Sequence, residues 1–280
     1  MGMLLMMNFN NQLNIRTMKK ILLFMLPIMA LSLASCERWM DDSPIIQFKD
    51  PYFLEVALNG GCDGDGHSTG ETKVDKNGDG QISEKEASVA KGLCLSFGAR
   101  IRNLDEIKYF TALEYLDCSD NQLTSLDLSN NTALTNLRCG YNQLTSLDLS
   151  NNTALTNLDC GYNQLTSLDL SKNTALTDLY CYGNQLTSLD LSNNTALTNL
   201  RCGNNQLTSL DLSNNTALTN LRCGNNQLTS LDLSNNTALT NLRCGNNPLQ
   251  KLILYKYHLV EYDLMFDIES EYGDIIEYME

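Results

Sequence analysis

An internal repeat of 21 residues constrains this chain more than any other feature of its sequence. Seven copies align, and their commonest form is LTNLRCGNNQLTSLDLSNNTA. The copies begin at Leu113, Leu134, Leu155, Leu176, Leu197, Leu218 and Leu239. One copy can bury only leucines, one cysteine and one alanine, which is too little apolar surface for a unit that folds alone. The repeat therefore predicts a stacked array in which neighbouring coils stabilise each other.

The alternation of residues inside each copy predicts strands rather than helices. In Leu137-Arg138-Cys139 a polar residue lies between two apolar ones, as a strand packed on one face requires. The second half of each copy alternates in the same way, as at Leu126 and Leu128. We therefore expect two short strands per coil, one on each side of a thin solenoid, and almost no helix in the array.

An asparagine recurs at position nine of every copy, where the chain must turn inward. A buried ladder of side-chain amides can satisfy the backbone groups that a turn leaves open. The position is held by Asn121, Asn142, Asn163, Asn184, Asn205, Asn226 and Asn247.

The pattern L-x-x-L-x-C-x-x-N-x-L within each copy resembles the leucine-rich repeat signature, with cysteine where leucine or asparagine is common. The resemblance covers about 113–254 and extends weakly to about residue 90. Residues 101–110 resemble the variable half of internalin-like repeats and would seal the first coil. The resemblance implies a mainly-β leucine-rich repeat solenoid over 90–254, with a small α-containing N-terminal cap. The tail over 255–280 is rich in tyrosine and acidic residues, and we expect it to be a closing C-terminal cap.

Seven of the ten cysteines recur at one inward position of the repeat. Neighbouring rungs of a parallel sheet lie about 4.8 Å apart, whereas a disulfide needs Cβ atoms about 3.8 Å apart. We therefore expect buried thiols that belong to the core. They are Cys118, Cys139, Cys160, Cys181, Cys202, Cys223 and Cys244. Cys62 and Cys94 lie outside the seven copies, and whether they form a disulfide stays open.

Residues 75–86, DKNGDGQISEKE, match the twelve-residue calcium loop D-x-N-x-D-G-x-I-x-x-x-E and resemble the EF-hand or dockerin type. The resemblance implies calcium as a cofactor. The expected ligands are Asp75, Asn77, Asp79, Gln81 through its carbonyl, Ser83 and Glu86.

The sequence around this loop predicts a cap over 47–89 that departs from a paired EF-hand. A glycine-rich stretch precedes the loop where an entering helix is usual, and the expected helix lies earlier, from Asp50-Pro51 to about Leu58. Ser83 and Glu86 form a capping box that predicts a short helix ending near Val89. A single loop flanked on one side indicates modest affinity and a structural role.

The N-terminal sequence predicts a targeting signal. Lys19 and Lys20 precede an apolar run that is too short to span a bilayer, as in a signal peptide over 18–35. The following Leu-Ala-Ser-Cys resembles the lipobox of bacterial lipoproteins, which implies lipidation of Cys36 and a linker over 36–46. Residues 1–17 are expected to be a mis-called start. Acidic residues soon after Cys36 favour the surface of the Gram-negative outer membrane, and an ordinary secretory signal is the alternative.

Charge and histidine content exclude or disfavour several functions. A formal net charge of −14 disfavours nucleic-acid binding, which depends on clustered positive charge. The two histidines, His67 and His258, lie far apart in the chain, and no catalytic motif is present, so we expect no enzyme.

An aspartate recurs at one position in six copies, so its carboxylates would stack and repel each other. We expect hydrogen bonds from the flanking hydroxyls to stabilise these carboxylates; a stripe of bound cations is the alternative. These aspartates are Asp127, Asp148, Asp169, Asp190, Asp211 and Asp232.

The copies differ mainly at outward positions of the first strand. These positions carry tyrosine and arginine, the residue types that concentrate binding energy at protein interfaces. The candidate partner-binding residues are Asp117, Arg138, Asp159, Tyr180, Arg201, Arg222 and Arg243, with Tyr141 and Tyr162 from the following turn. The predicted function is a monomeric, surface-anchored module that binds a protein partner. The alternatives are a glycan-binding or structural envelope lipoprotein, with Tyr141, Tyr162 and Tyr180 as a stacking platform, and a merely solvated sheet face.

Overall fold

The computed structural model of the chain describes residues 42–59, 73–96, 100–255 and 275–279. The predicted signal segment 18–35, the lipidation site Cys36 and Cys62 lie outside these residues, as does most of the C-terminal cap. Within the described parts, no helix is long and apolar enough to cross a membrane.

The repeat array forms a solenoid in which every coil contributes one strand to a single parallel sheet. Eight strands lie in the order β1-β2-β3-β4-β5-β6-β7-β9. Neighbouring strands pair with an offset of one repeat, so that Leu158 lies beside Leu179 and Leu200 beside Leu221. The strands are β1 Gly92–Cys94, β2 Tyr115–Asp117, β3 Asn136–Arg138, β4 Asn157–Asp159, β5 Asp178–Tyr180, β6 Asn199–Arg201, β7 Asn220–Arg222 and β9 Asn241–Arg243. The prediction of a mainly-β solenoid with 21-residue turns is confirmed.

The other side of the solenoid corrects the prediction of two strands per coil. A regular second strand is described only near the C-terminal end, where β8 Ser230–Leu233, β10 Lys251–Tyr255 and β11 Ile276–Met279 form a parallel sheet in the order β11-β10-β8. In the earlier coils the aspartate of this half accepts a hydrogen bond from the backbone N–H two residues later, as Asp148 does from Ser150. Asp232 in β8 accepts the same bond from Ser234, so the bond does not prevent a strand; β8 differs in having β10, whose sequence KLILY departs from the repeat, as its partner.

The interior of the array is built from stacked leucines, cysteines and asparagines. Asn163 shows how the position-nine ladder works, because its amide nitrogen donates to the carbonyl oxygens of Cys139 and Cys160, each at 3.1 Å. Its side-chain oxygen accepts a 3.0 Å hydrogen bond from the backbone N–H of Leu144. One side chain thus satisfies backbone groups of two neighbouring coils, as the sequence predicted.

The cysteine ladder also agrees with the prediction. The seven array cysteines are buried, and none of them forms a disulfide. Burial raises the pKa of the Cys202 thiol to about 12, so the ladder is uncharged at neutral pH. Cys94 is disulfide-bonded, whereas Cys62 lies outside the described residues.

The N-terminal cap closes the first coil with two helices, α1 Pro51–Asn59 and α2 Glu84–Val89, and a 3-10 helix at Asp105–Tyr109. Asp50 begins α1 by accepting from the backbone N–H of Tyr52 at 3.0 Å, and its other oxygen accepts from the N–H of Arg102 at 2.7 Å. Ser83 and Glu86 form the predicted capping box of α2. Both predicted helices are therefore confirmed.

Candidate partner-binding face

We call the outward side of the eight-stranded sheet, together with the turn that follows each strand, the strand face. Because the strands pair in register, residues at the same repeat position are neighbours across the sheet: Arg138 lies beside Asp159, which lies beside Tyr180. The central leucine of every strand points inward and is buried. The sequence differences between coils are thus displayed side by side on one surface.

Three tyrosines in consecutive coils form an aromatic patch that we call the tyrosine cluster: Tyr141, Tyr162 and Tyr182. The ring centroids of Tyr141 and Tyr162 are 4.5 Å apart, and those of Tyr162 and Tyr182 are 5.1 Å apart in an edge-to-face arrangement. Tyr141 is 53% exposed and Tyr162 is 46% exposed. Half-exposed rings that already pack against each other offer contact area with little entropy left to lose on binding.

Sequence reasoning missed Tyr182. The fourth coil reads Cys-Tyr-Gly-Asn where its two predecessors read Cys-Gly-Tyr-Asn, so tyrosine and glycine exchange places. A Cβ atom at Gly161 would lie 2.7 Å from the Tyr182 ring, and one at Gly183 would lie 2.8 Å from the Tyr162 ring. The glycines therefore make room for the rings, and the exchange was the signal that could have revealed the third ring.

Two members of the cluster occupy strained backbone positions. Tyr141 has φ 53° and Tyr162 has φ 50°, in the left-handed region that a bulky side chain rarely adopts. The same turn position in the last three coils is held by asparagine, including Asn204, which tolerates this conformation. Tyrosine costs about 1 kcal/mol more at such a site, so its presence in two coils points to a role for the exposed ring.

Asp159 lies near Tyr182 of the tyrosine cluster and is partly buried. Its carboxylate accepts a 3.0 Å hydrogen bond from the backbone N–H of Gly161. Burial raises the pKa of the Asp159 carboxyl, and the Gly161 bond and the charge of Arg138 oppose that rise. Burial, and then the charge of Asp159, raises the pKa of the Tyr182 hydroxyl. This acid and the tyrosine cluster form one connected patch.

The last three coils carry a row of arginines that we call the arginine ladder: Arg201, Arg222 and Arg243. The three residues are in register across strands β6, β7 and β9. Partial burial, and then the charges of Arg201 and Arg243, lower the pKa of the Arg222 guanidinium. None of the three forms an ion pair with another described residue. Arg201 also lies 4.6 Å from the ring centroid of Tyr180, which joins the ladder to the aromatic region.

The structure places one of the predicted site residues less favourably for contact. Asp117 is only 9% exposed, because β1 covers its strand and because Ser119 donates to its carboxylate. The sequence treated Asp117 as an outward residue of the first coil, and the extra strand β1 corrects that prediction. Arg138 is exposed and lies 5.9 Å from the ring of Tyr115.

The aspartate ladder lies on the opposite side of the solenoid, and its carboxylates are hydrogen-bonded, but backbone N–H groups are the first donors rather than the hydroxyls that the sequence favoured. The backbone N–H of Ser171, and then its hydroxyl, lower the pKa of Asp169, and Asp148 and Asp190 are held in the same way. These carboxylates are stabilised as anions by local donors.

The calcium loop adopts a tight, internally hydrogen-bonded form. Asp75 accepts from the backbone N–H of Gly78 at 2.7 Å and of Gly80 at 3.0 Å, and both glycines have positive φ. Glu86 is 6% exposed and accepts from the N–H groups of Lys76 and Ser83. Among the residues that the structure describes, no three acidic, histidine or cysteine side chains are grouped closely enough to hold a metal ion. The oxygen donors are of the type that calcium prefers, but amide protons occupy them in this arrangement.

Solved structures with similar folds are leucine-rich repeat proteins. The functional domain of InlJ from Listeria monocytogenes, which includes a cysteine ladder, is 36% identical, with a TM-score of 0.52, over 65% of this chain and 48% of that one. Internalin C2 from Listeria monocytogenes is 23% identical, with a TM-score of 0.62, over 83% of this chain and 94% of that one. A leucine-rich repeat protein of Leptospira interrogans is 23% identical, with a TM-score of 0.57, over 71% of this chain and 51% of that one.

These likenesses establish the fold as a leucine-rich repeat solenoid whose structural neighbours are internalin-like. The chain spans about half the length of the InlJ domain, 48%. No protein-family model matches the sequence, and a search of curated proteins found no significant match.

Proposed function

We propose that this protein is a non-enzymatic recognition module that binds a protein partner through its strand face. The observation that carries the proposal is the concentration of exposed tyrosine, and of arginine that forms no ion pair with another described residue, on one sheet of an array whose inward positions hardly vary. Tyrosine and arginine are enriched among residues that dominate protein interfaces. Leucine-rich repeat solenoids present extended surfaces of this kind, and the internalin-like neighbours support a recognition role.

The proposal predicts that the tyrosine cluster is needed for partner capture. The full chain serves as bait against a displayed library of folded protein domains, and captured binders are titrated against variants. The double substitution Tyr141→Asn and Tyr162→Asn copies the residue that the last three coils carry, so it should preserve the turn. We expect binding to weaken at least about tenfold, which corresponds to 1.4 kcal/mol.

The matched control changes the opposite side of the solenoid. Asp148→Asn with Asp169→Asn keeps the turn-forming side-chain oxygen and alters only charge. We expect the control to bind within about twofold of the unmodified chain. Equal loss in both double variants, or loss in the control alone, would contradict binding through the strand face.

A glycan is the second candidate ligand, and the exposed rings of Tyr141 and Tyr162 favour it. They are 53% and 46% exposed, and aromatic rings are side chains on which a sugar ring can stack. A ligand of this class would depend on the tyrosine cluster and tolerate loss of the arginine ladder, whereas a protein partner that covers the whole face would need both.

We further propose attachment to the outer surface of a Gram-negative outer membrane by a lipid on Cys36. Support for this comes from the resemblance of the segment before Cys36 to a lipobox and from the acidic residues that follow it.

We also propose that residues 75–86 bind calcium and stabilise the N-terminal cap. The ligands would be the side chains of Asp75, Asn77, Asp79 and Glu86, with Gln81 through its carbonyl oxygen and Ser83 at position nine of the loop. Support comes from the spacing of these donors and from the glycine bends described above. A bound cation would replace the amide protons that the carboxylates now accept.

Calcium titration of the full chain tests this site. We expect one site with a Kd of roughly 10⁻⁴–10⁻³ M, as in extracellular modules, and a denaturation midpoint that rises with calcium. Glu86→Gln should weaken binding more than about tenfold because it removes a bidentate carboxylate. Glu84→Gln, the same change two residues away, should leave calcium affinity unchanged.

Two results would count against the calcium proposal. Indistinguishable calcium affinities in Glu84→Gln and Glu86→Gln would remove the loop as the site. Several equivalent sites per chain would instead indicate a cation stripe along the aspartate ladder.

A further inference from the structure

The arginine ladder lies in the most uniform part of the strand face. Residues 198–204, 219–225 and 240–246 have the same sequence, TNLRCGN. Each of these coils presents an arginine flanked by an asparagine on the strand and another in the following turn. No acidic side chain occurs in the three segments, although the chain as a whole carries a net charge of −14. The positive charge is therefore local and repeated at the spacing of the rungs.

Within the described part of the chain, no acidic side chain forms an ion pair with the arginine ladder. Its guanidinium groups form no ion pair, and the charges on either side of Arg222 act together with partial burial to disfavour its charged form. Stacked like charges at rung spacing destabilise a sheet. An anion placed across the ladder would remove that repulsion and satisfy N–H donors that now face solvent.

We propose that the arginine ladder binds an acidic segment of the protein partner, with carboxylates on alternate residues of an extended chain. This inference rests on the proposed function and names the chemistry of the partner at one end of the face. Three rungs span about 10 Å at about 4.8 Å per rung. An extended peptide advances about 3.3 Å per residue, so two or three acidic side chains cover the ladder. The planar guanidinium fork matches a carboxylate in two-point hydrogen bonding.

The neighbouring aromatic region favours a polypeptide over an anionic polysaccharide. Arg201 contacts the ring of Tyr180, so a ligand that leaves the ladder toward the N-terminal coils meets Tyr180 and then the tyrosine cluster. A polypeptide can follow acidic residues with apolar ones and match both regions. A uniformly anionic polymer would instead place negative charge over the tyrosine cluster, beside the carboxylate of Asp159.

The test uses the full chain and the peptide acetyl-(Glu-Ser)₃-amide, with acetyl-(Gln-Ser)₃-amide as its uncharged counterpart. We expect the glutamate peptide to bind at low salt, to weaken as salt is added, and to outcompete the glutamine peptide. Replacing Arg201, Arg222 and Arg243 by glutamine should weaken its binding about tenfold. The control replaces Lys73, Lys108 and Lys172 by glutamine, which gives the same net charge and leaves the strand face intact, and should change binding less than twofold.

Several outcomes would overturn this inference. They are absence of glutamate-peptide binding, equal binding of both peptides, equal loss in the arginine and lysine variants, and binding of dextran sulfate through the ladder without binding of the glutamate peptide. Circular dichroism and thermal unfolding of each variant separate lost binding from lost folding.

If binders from the displayed library need the tyrosine cluster while the glutamate peptide does not bind, only this inference fails. If neither variant of the strand face affects captured binders, the proposed function fails instead.

Discussion

Asn163→Ala is expected to lower the free energy of unfolding by about 3–5 kcal/mol, because each buried polar group left without a partner costs about 1–3 kcal/mol. The side chain accepts from the N–H of Leu144 and donates to the carbonyl oxygens of Cys139, Cys160 and Gly161. Alanine leaves these groups buried without partners, in the middle of the array. Denaturant unfolding followed by circular dichroism measures the loss.

Asn151→Ala is the matched control for this prediction. Asn151 is exposed, and its substitution should change stability by no more than about 0.5 kcal/mol. Because each coil contacts only its neighbours, the Asn163 variant can unfold the array in two parts, which would broaden the transition. Equal midpoints and slopes for the two variants would show that the asparagine ladder does not hold the coils together.

Cys160→Ser is expected to lower the free energy of unfolding by about 1–3 kcal/mol more than Cys160→Ala does. The buried serine hydroxyl would lose its hydrogen bonds to water without gaining a hydrogen-bond partner in the protein. Cys160 is fully buried between the thiols of the coils before and after it. Burial raises the pKa of its thiol, so the native ladder should also resist alkylation at pH 8.

Unfolding curves of the two variants and thiol labelling of the unmodified chain check this prediction together. Seven array thiols should stay unlabelled in the native protein and react once denaturant is added. Rapid native labelling, or a serine variant as stable as the alanine variant, would mean that the cysteines do not form a dry core ladder.

The coil, the core and the helices of the N-terminal cap could be predicted from the sequence, because each depends on short-range patterns. A leucine every few residues, a position-nine asparagine and a cysteine recur with the period of the array, so stacking one copy on the next defines all of them. Both helices of the cap carry their own start signals, at Asp50-Pro51 and at Ser83 with Glu86.

The remaining features depend on contacts between coils that the repeat pattern does not encode. Among the described residues, the second strand appears only near the C-terminal end, where β8 pairs with β10, whose sequence KLILY departs from the repeat. Tyr182 joins the tyrosine cluster only because Gly161 in the preceding coil leaves space for its ring. Asp117 is covered because β1, a strand outside the regular repeats, adds one more rung.

Side-chain footprinting of the full chain, with and without a captured protein partner, tests the central claim most directly. Binding through the strand face predicts that the partner protects Tyr141 and Tyr162 from oxidation and protects Arg201, Arg222 and Arg243 from arginine-specific modification. Carbodiimide labelling of Asp148, Asp169 and Asp190 on the opposite side should not change. Protection of those aspartates, with the tyrosines and arginines still fully reactive, would contradict the strand face as the recognition surface.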